Sequence, residues 1–203
     1  MQKFTTLLLA LVVVSAACRE KAPDVVPPAG PAPDSFRVAF QTSKGQFTVQ
    51  VNRAWSPNGA DRFRDLVYVQ FFDENRFFRV LPEFIAQFGI NDDKKVNEKW
   101  DVMRIPDDAL VAKNLRGTLT FATDGKDSRS HQLFFNLKDN TSLDKQGFTP
   151  IGRVVDGMNV VDSIYSGYGE RPSGHMISTL GNSYLRRMFP KLDFIQTARI
   201  LTP

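Results

Sequence analysis

From Phe36 onward, apolar and polar positions alternate with a period of two. Phe36, Val38 and Phe40 alternate with Arg37, Ala39 and Gln41; after Ser43-Lys44-Gly45, Phe47, Val49 and Val51 alternate with Thr48 and Gln50. Successive strand side chains point to opposite faces, so two such runs around a glycine-containing turn predict a β-hairpin. Ser56-Pro57 then offers an N-cap followed by proline at the first helical position. Phe63, Leu66 and Val67 share one helical face, which predicts a helix over 57–69. Further short strands are predicted at 75–80, 84–89, 117–123, 132–137, 149–155 and 194–201. Met158, Val161, Ile164 and Tyr165 fit one face of a short helix, and another at 183–189 is stopped by Pro190. The polar, aperiodic stretch 91–116 is expected to run over the surface as a connection. Eight short strands with few helices predict a mainly β fold. Its expected form is a closed eight-stranded antiparallel barrel capped by two or three short helices, because closure removes unpaired edges.

The first residues follow a different pattern. Lys3, the apolar run Leu7–Val14 and the small residues Ser15-Ala16-Ala17 read as an export signal over 1–17. Cys18 follows directly, and the segment resembles a bacterial lipobox, with Ser15 where most lipoboxes carry Leu. That resemblance implies acylation of Cys18 as the first mature residue and a membrane tether, each buried methylene contributing about 0.8 kcal/mol. Residues 18–35 are a proline-rich linker, with five prolines and no aromatic residue, which predicts a semi-stiff spacer. The folded domain is expected over 36–203. The chain is thus expected to be exported, as a periplasmic or membrane-anchored lipoprotein of a bacterial envelope.

Composition narrows the chemistry. Among 203 residues, 26 Lys and Arg against 22 Asp and Glu give a net charge of +4, too weak a field to point to nucleic acid. The single cysteine excludes an internal disulfide, and two histidines, His131 and His175, argue against a histidine-rich metal cluster. No glycine-rich phosphate loop that follows a strand and opens a helix is present, and no H-E-x-x-H motif. A Ser-His-Asp arrangement stays open, because a triad is a spatial object; His131 reads as a surface or loop residue. The 17 phenylalanines imply a thick aromatic core, a lined pocket, or both. In the predicted strand 75–80, Phe77 and Arg79 share a face. Arg79 must reach water, a partner or a substrate, and Gln87 in the next strand is a candidate partner.

Residues 77–89, Phe77-Phe78-Arg79-Val80-Leu81-Pro82-Glu83-Phe84-Ile85-Ala86-Gln87-Phe88-Gly89, resemble the cyclophilin signature F-H-R-V-I-P-G-F-M-I-Q-G-G. Gly117–Ala122 is similar to that family's G-x-L-x-M-A, and Gln132–Phe135 to its S-Q-F-F-I. Leu143-Asp144 with Phe148–Met158 resembles L-D-G-x-x-x-x-F-G-x-V-x-x-G-M. The blocks keep their order from about Phe36 to Val161. The tail, with Gly167–Glu170 and Gly181–Leu185, resembles an extension seen in one bacterial branch.

The resemblance implies an eight-stranded barrel, peptidyl-prolyl cis-trans isomerisation, no cofactor and no metal, and proline-containing polypeptides as substrates. It implies that Arg79 is the catalytic donor and Gln87 the residue that orients it. Phe84, Ile85, Phe134 and Leu143 match the proline pocket. Ala122 and Thr123 match the loop that grips the residue before proline, Gln132 a groove position, and Phe148 the pocket rim. Phe78, Phe88, Ser142 and Phe148 depart from the common pattern and bear on substrate preference and cyclosporin affinity. Two other readings stand beside the isomerase: a non-catalytic proline-segment binding module or chaperone on the same fold, and a hollow barrel of lipocalin type. A monomer is expected.

Overall fold

The alternation of the hairpin carries directly into the computed structural model, which describes residues 26–202. Strands β1 (Ser35–Thr42) and β2 (Gly45–Asn52) pair antiparallel, with Phe40 opposite Phe47. Their rings stack at 4.9 Å. The export signal, Cys18 and the linker up to residue 25 lie outside the described residues.

Helix α1 (Pro57–Tyr68) follows, then β3 (Arg79–Leu81), β4 (Ile85–Phe88), α2 (Lys94–Asp101), β5 (Thr118–Phe121) and β6 (Leu133–Asn136). The chain continues through β7 (Pro150–Asp156), α3 (Met158–Asp162), α4 (Gly174–Met188) and β8 (Ile195–Leu201). The eight strands form one antiparallel sheet in the order β3-β4-β6-β5-β7-β2-β1-β8. The expected closure is not made by a strand ladder, because β3 and β8 are the two edges. A single bridge joins Arg76 to Phe194 between them. Beside it the Phe77 amide donates to the Asp193 carbonyl at 3.0 Å and the Ile195 amide to the Asn75 carbonyl at 2.8 Å. The architecture is a curled half-barrel with helices against it. The strand expected at 75–80 is replaced by β3 at 79–81, because residues 75–77 pair instead with the segment 193–195.

The interior is filled. Phe40, Phe47, Phe63, Phe72, Phe77, Phe88 and Phe135 are fully buried, and Phe88 stacks on Phe135 at 5.4 Å. Phe40 meets both edge-on. Such contacts add about 0.5–1.5 kcal/mol per pair beyond area burial. A packed interior removes the hollow lipocalin-type reading. It also accounts for Phe88, whose ring occupies core that a glycine would leave empty.

Three local readings need correction. Ser56 holds the N-cap position of α1, but its side chain caps nothing. Its hydroxyl instead donates to Asp108 at 2.5 Å, and the Asp108 carboxylate accepts the free amides of Asn58 (3.1 Å) and Gly59 (3.0 Å). The stretch 91–116 is not mere connection, since it contains α2, capped by Asp93 and buried through Trp100. Helix α4 begins nine residues before the expected 183, with a kink at Gly181, where φ is +62°. A Cβ at Gly181 would lie 2.6 Å from the Asp92 carbonyl oxygen, so the kink requires glycine.

Part of the expected spacer is docked. The Ala32 amide donates to Asp61 at 2.7 Å, Arg64 donates to the Pro28 carbonyl at 3.2 Å, and Ala32 is buried.

Candidate active site

The period of two places the site. On β4 and β6, Ala86, Phe88, Leu133 and Phe135 join the main core, while Ile85 and Phe134 form a separate cluster with Leu143. One face of these strands is therefore core and the other is available for a pocket. The β3–β4 register sets Arg79 opposite Gln87, and the β4–β6 register sets Gln87 opposite Phe134.

The resulting cavity, about 220 Å3, is lined by Phe84, Ile85, Phe134, Leu143 and Phe148, with Arg79, Gln87, Ala122, Thr123 and Asp124 around it. Phe148 packs edge-on against Phe134 at 5.8 Å. The Arg79 guanidinium carbon lies 6.0 Å from the Phe84 ring centre. A second, more polar groove of about 450 Å3 lies alongside and includes Gln132, Asp101, Arg104 and Ser130. Gln87, Ala122, Thr123 and Asp124 line both. All of the catalytic and substrate-binding positions expected from sequence, Arg79, Gln87, Phe84, Ile85, Ala122, Thr123, Gln132, Phe134, Leu143 and Phe148, lie at these two adjoining cavities.

Polar contacts hold the arrangement. Arg79 Nη1 donates to Gln87 Oε1 at 3.3 Å, and Gln87 Nε2 donates to Gln132 Oε1 at 3.0 Å. Ala122 extends the β5–β6 pairing by donating its amide to the Gln132 carbonyl at 2.9 Å. The Thr123 hydroxyl is engaged within its own loop, with the Gly125 carbonyl and Ser128.

Sequence reasoning missed the frame behind the pocket. Asn140 donates to the Phe84 carbonyl and to Asn136 Oδ1, both at 2.8 Å. Asn136 donates to Asn114 Oδ1 at 3.2 Å, and Asn114 donates to the Phe148 carbonyl and to Asp144, both at 2.8 Å. Three buried asparagines thus tie the Phe84 wall to the Phe148 wall. Isolated asparagines, one at the end of β6 and two in loops, carry no spacing signal that would have found them. Asp124 was also missed, as was Glu170, whose Oε1 accepts from Arg79 Nε at 2.7 Å and Nη2 at 2.5 Å.

His131 is not a surface residue. It is buried, with Nε2 2.7 Å from Asp101 Oδ1 and Nδ1 2.6 Å from the Gly89 carbonyl oxygen. It ties the last turn of α2 to the end of β4. Both ring nitrogens are committed there, so His131 does not serve a serine in a triad. A Cβ at Gly89, whose φ is +108°, would come within 2.4 Å of the His131 carbonyl oxygen. Only glycine fits this approach.

A guanidinium beside a small apolar pocket, with a polar groove alongside on a curled antiparallel sheet, is the arrangement that the resemblance to the cyclophilins leads one to expect. Residues 37–181 match the family model described as cyclophilin type peptidyl-prolyl cis-trans isomerase/CLD, and the chain belongs to that family. The peptidyl-prolyl cis-trans isomerase A of Dickeya dadantii is 35% identical over 144 residues, covering 68% of this chain and 75% of its own. The enzyme class is therefore peptidyl-prolyl cis-trans isomerase. The fold is shared with a Cryptosporidium parvum cyclophilin type peptidyl-prolyl cis-trans isomerase, at a TM-score of 0.63 and 17% identity, covering 83% of this chain and 99% of that one. A second structure of that protein, determined in the presence of the dipeptide Ala-Pro, has a TM-score of 0.61 at 15% identity and covers 82% of this chain and 99% of that one.

Proposed function

We propose that this chain isomerises Xaa-Pro bonds in envelope or secreted proteins, with the proline ring in the Phe84, Ile85, Phe134, Leu143 and Phe148 pocket and Arg79 as the donor. The observation that carries this reading is the Arg79–Gln87 pair at the mouth of that pocket. The cavity of about 220 Å3 is smaller than the roughly 300–1,000 Å3 of sites that enclose drug-sized ligands, and suits one apolar side chain. The Ala-Pro dipeptide used with the C. parvum protein is chemistry of the same kind.

Amide resonance sets the barrier, roughly 18–20 kcal/mol for a peptide bond. Twisting the bond localises a lone pair on the prolyl nitrogen. A donor aimed there binds the twisted state better than either planar state, which is the condition for catalysis. The fixed charge and rigid fork of Arg79 suit that task. A hydrogen bond to a charged group contributes about 1.5–3 kcal/mol, or one to two powers of ten in rate. The apolar pocket supplies the rest by desolvating the amide and holding the twist. The Ala122–Thr123 backbone grips the residue before proline, and Gln132 with the adjoining groove receives the preceding chain. No proton transfer is required, which is consistent with Phe148 on the rim.

Exchange between the cis and trans NMR signals of a proline peptide tests the assignment. Arg79→Ala should lower turnover between about ten- and a hundredfold with the fold intact. Unchanged turnover in that variant would overturn the role of Arg79. Binding without exchange in the wild-type protein would favour the non-catalytic module.

The N-terminal segment suggests the setting. An export signal followed by Cys18 supports an acylated, membrane-tethered enzyme of a bacterial envelope. Mass spectrometry of the membrane-fraction protein should find the mature chain beginning at Cys18 with added acyl mass. An unmodified Cys18 terminus would discard the tether.

A further inference from the structure

Arg79 is gripped by two acceptors. Nε and Nη2 both donate to Glu170 Oε1, and Nη1 donates to Gln87 Oε1. A guanidinium has five N–H donors. These contacts use three of them, leaving one N–H on Nη1 and one on Nη2. Those two belong to the two terminal nitrogens of one planar fork, whose fixed geometry keeps them pointing together.

Glu170 is not among the residues lining the cavity, and it meets the site through its ion pair with Arg79. The segment that carries it, between α3 and α4, is braced from several sides. The Tyr165 amide donates to Asp193 at 2.7 Å. The Tyr168 ring packs edge-on against Tyr165 and Phe189, each at 5.1 Å. Arg171 donates to the Gly167 carbonyl at 2.9 Å and lies over the Tyr168 ring at 5.0 Å. Tyr168 packs on the small core of Phe78, Ile90, Ile177, Leu185, Phe189 and Leu192. Phe78 precedes Arg79 by one residue. One cluster therefore locates both partners of the ion pair.

We propose that Glu170 is a positioning residue for the isomerase reaction: it holds the Arg79 guanidinium so that one N–H of Nη1 and one of Nη2 stay free for the prolyl amide. This rests on the reading of Arg79 as the donor. An arginine without the brace must be ordered anew as each amide twists, a cost equivalent to roughly two- to tenfold in rate.

The test compares Glu170→Ala and Glu170→Gln in the full chain. Glu170 is well exposed, so neither change should disturb folding. Glu170→Ala should lower kcat roughly two- to tenfold with little change in KM, because binding is carried by the apolar pocket. Glu170→Gln keeps an acceptor oxygen and should recover part of the loss. The Nε–Hε NMR signal of Arg79, assigned by its absence in Arg79→Ala, should move toward the free-arginine position in Glu170→Ala. A rise in kcat would mean that Glu170 competes with substrate, and would overturn the proposal. A displaced Nε signal with unchanged kcat would overturn it as well. If the wild-type chain has no turnover, the isomerase reading fails instead, while the Nε signal still reports whether the pair forms.

Discussion

Asp108 performs at long range what a neighbouring cap performs elsewhere. It takes the Ser56 hydroxyl, two amides of the first turn of α1 and the buried guanidinium of Arg129 at 3.0 Å. Burial pushes its carboxyl up, but the hydrogen bonds from Ser56, Asn58, Gly59 and Arg129 outweigh this and hold it below the usual carboxylate value. A depressed carboxyl contributes stability above its unfolded value of about 3.9, and that contribution is lost as pH falls through the lower folded value. Asp108→Asn should therefore destabilise the protein by about 1.5–3 kcal/mol near neutrality, the usual worth of a hydrogen bond to a charged group, since Arg129 keeps Asp107 as a second partner. Urea unfolding at several pH values would check this. The variant should also lose part of the acid-induced decline below pH 4, and a decline equal to wild type would show that Asp108 is not responsible.

Elements differ in how openly they announce themselves. The β1–β2 hairpin was readable because its alternation runs unbroken through both strands. Helix α2 was not, because its eight residues contain only Val96 and Trp100 as apolar anchors among lysines and other polar groups. The helix expected at 183–189 covers only the part of α4 beyond Gly181, where the helix kinks against Asp92. The pocket side chains were legible through the family motif, whereas Glu170 meets Arg79 across 91 residues and lies in the tail extension, to which the resemblance assigned no site role. Phe78 shows the same limit. It reads as a departure at the site, yet its ring packs on the small core that includes α4 residues Ile177 and Leu185. Phe78→Ala should cost about 3 kcal/mol in urea unfolding. It should also lower kcat in the direction of Glu170→Ala, since the segment bearing Glu170 loses part of its support. A stability loss with unaltered kcat would separate that core from the site.

At the scale of the molecule, function is divided among three apolar clusters. The large one fills the half-barrel and sets the register of β3, β4 and β6. A small one is the pocket itself. The third fastens α4 and the preceding segment beside β3. Because β3 is an edge strand of three residues, it has a ladder on one side only. The third cluster and the Arg76–Phe194 bridge supply lateral support that a closed barrel would give by pairing.

On the proposed acylation of Cys18, the docking of Pro28 and Ala32 on α1 would also set a working height. A seventeen-residue spacer from 19 to 35, fully extended, would let the domain roam about 60 Å from an acylated Cys18. With Arg64 holding the Pro28 carbonyl, only ten Cα–Cα steps separate that carbonyl's residue from Cys18, a reach of at most about 35 Å. On the tethered reading, the groove patrols a thin layer next to the bilayer. Its clients are then chains met as they emerge from or settle onto the membrane, rather than proteins diffusing in the open compartment.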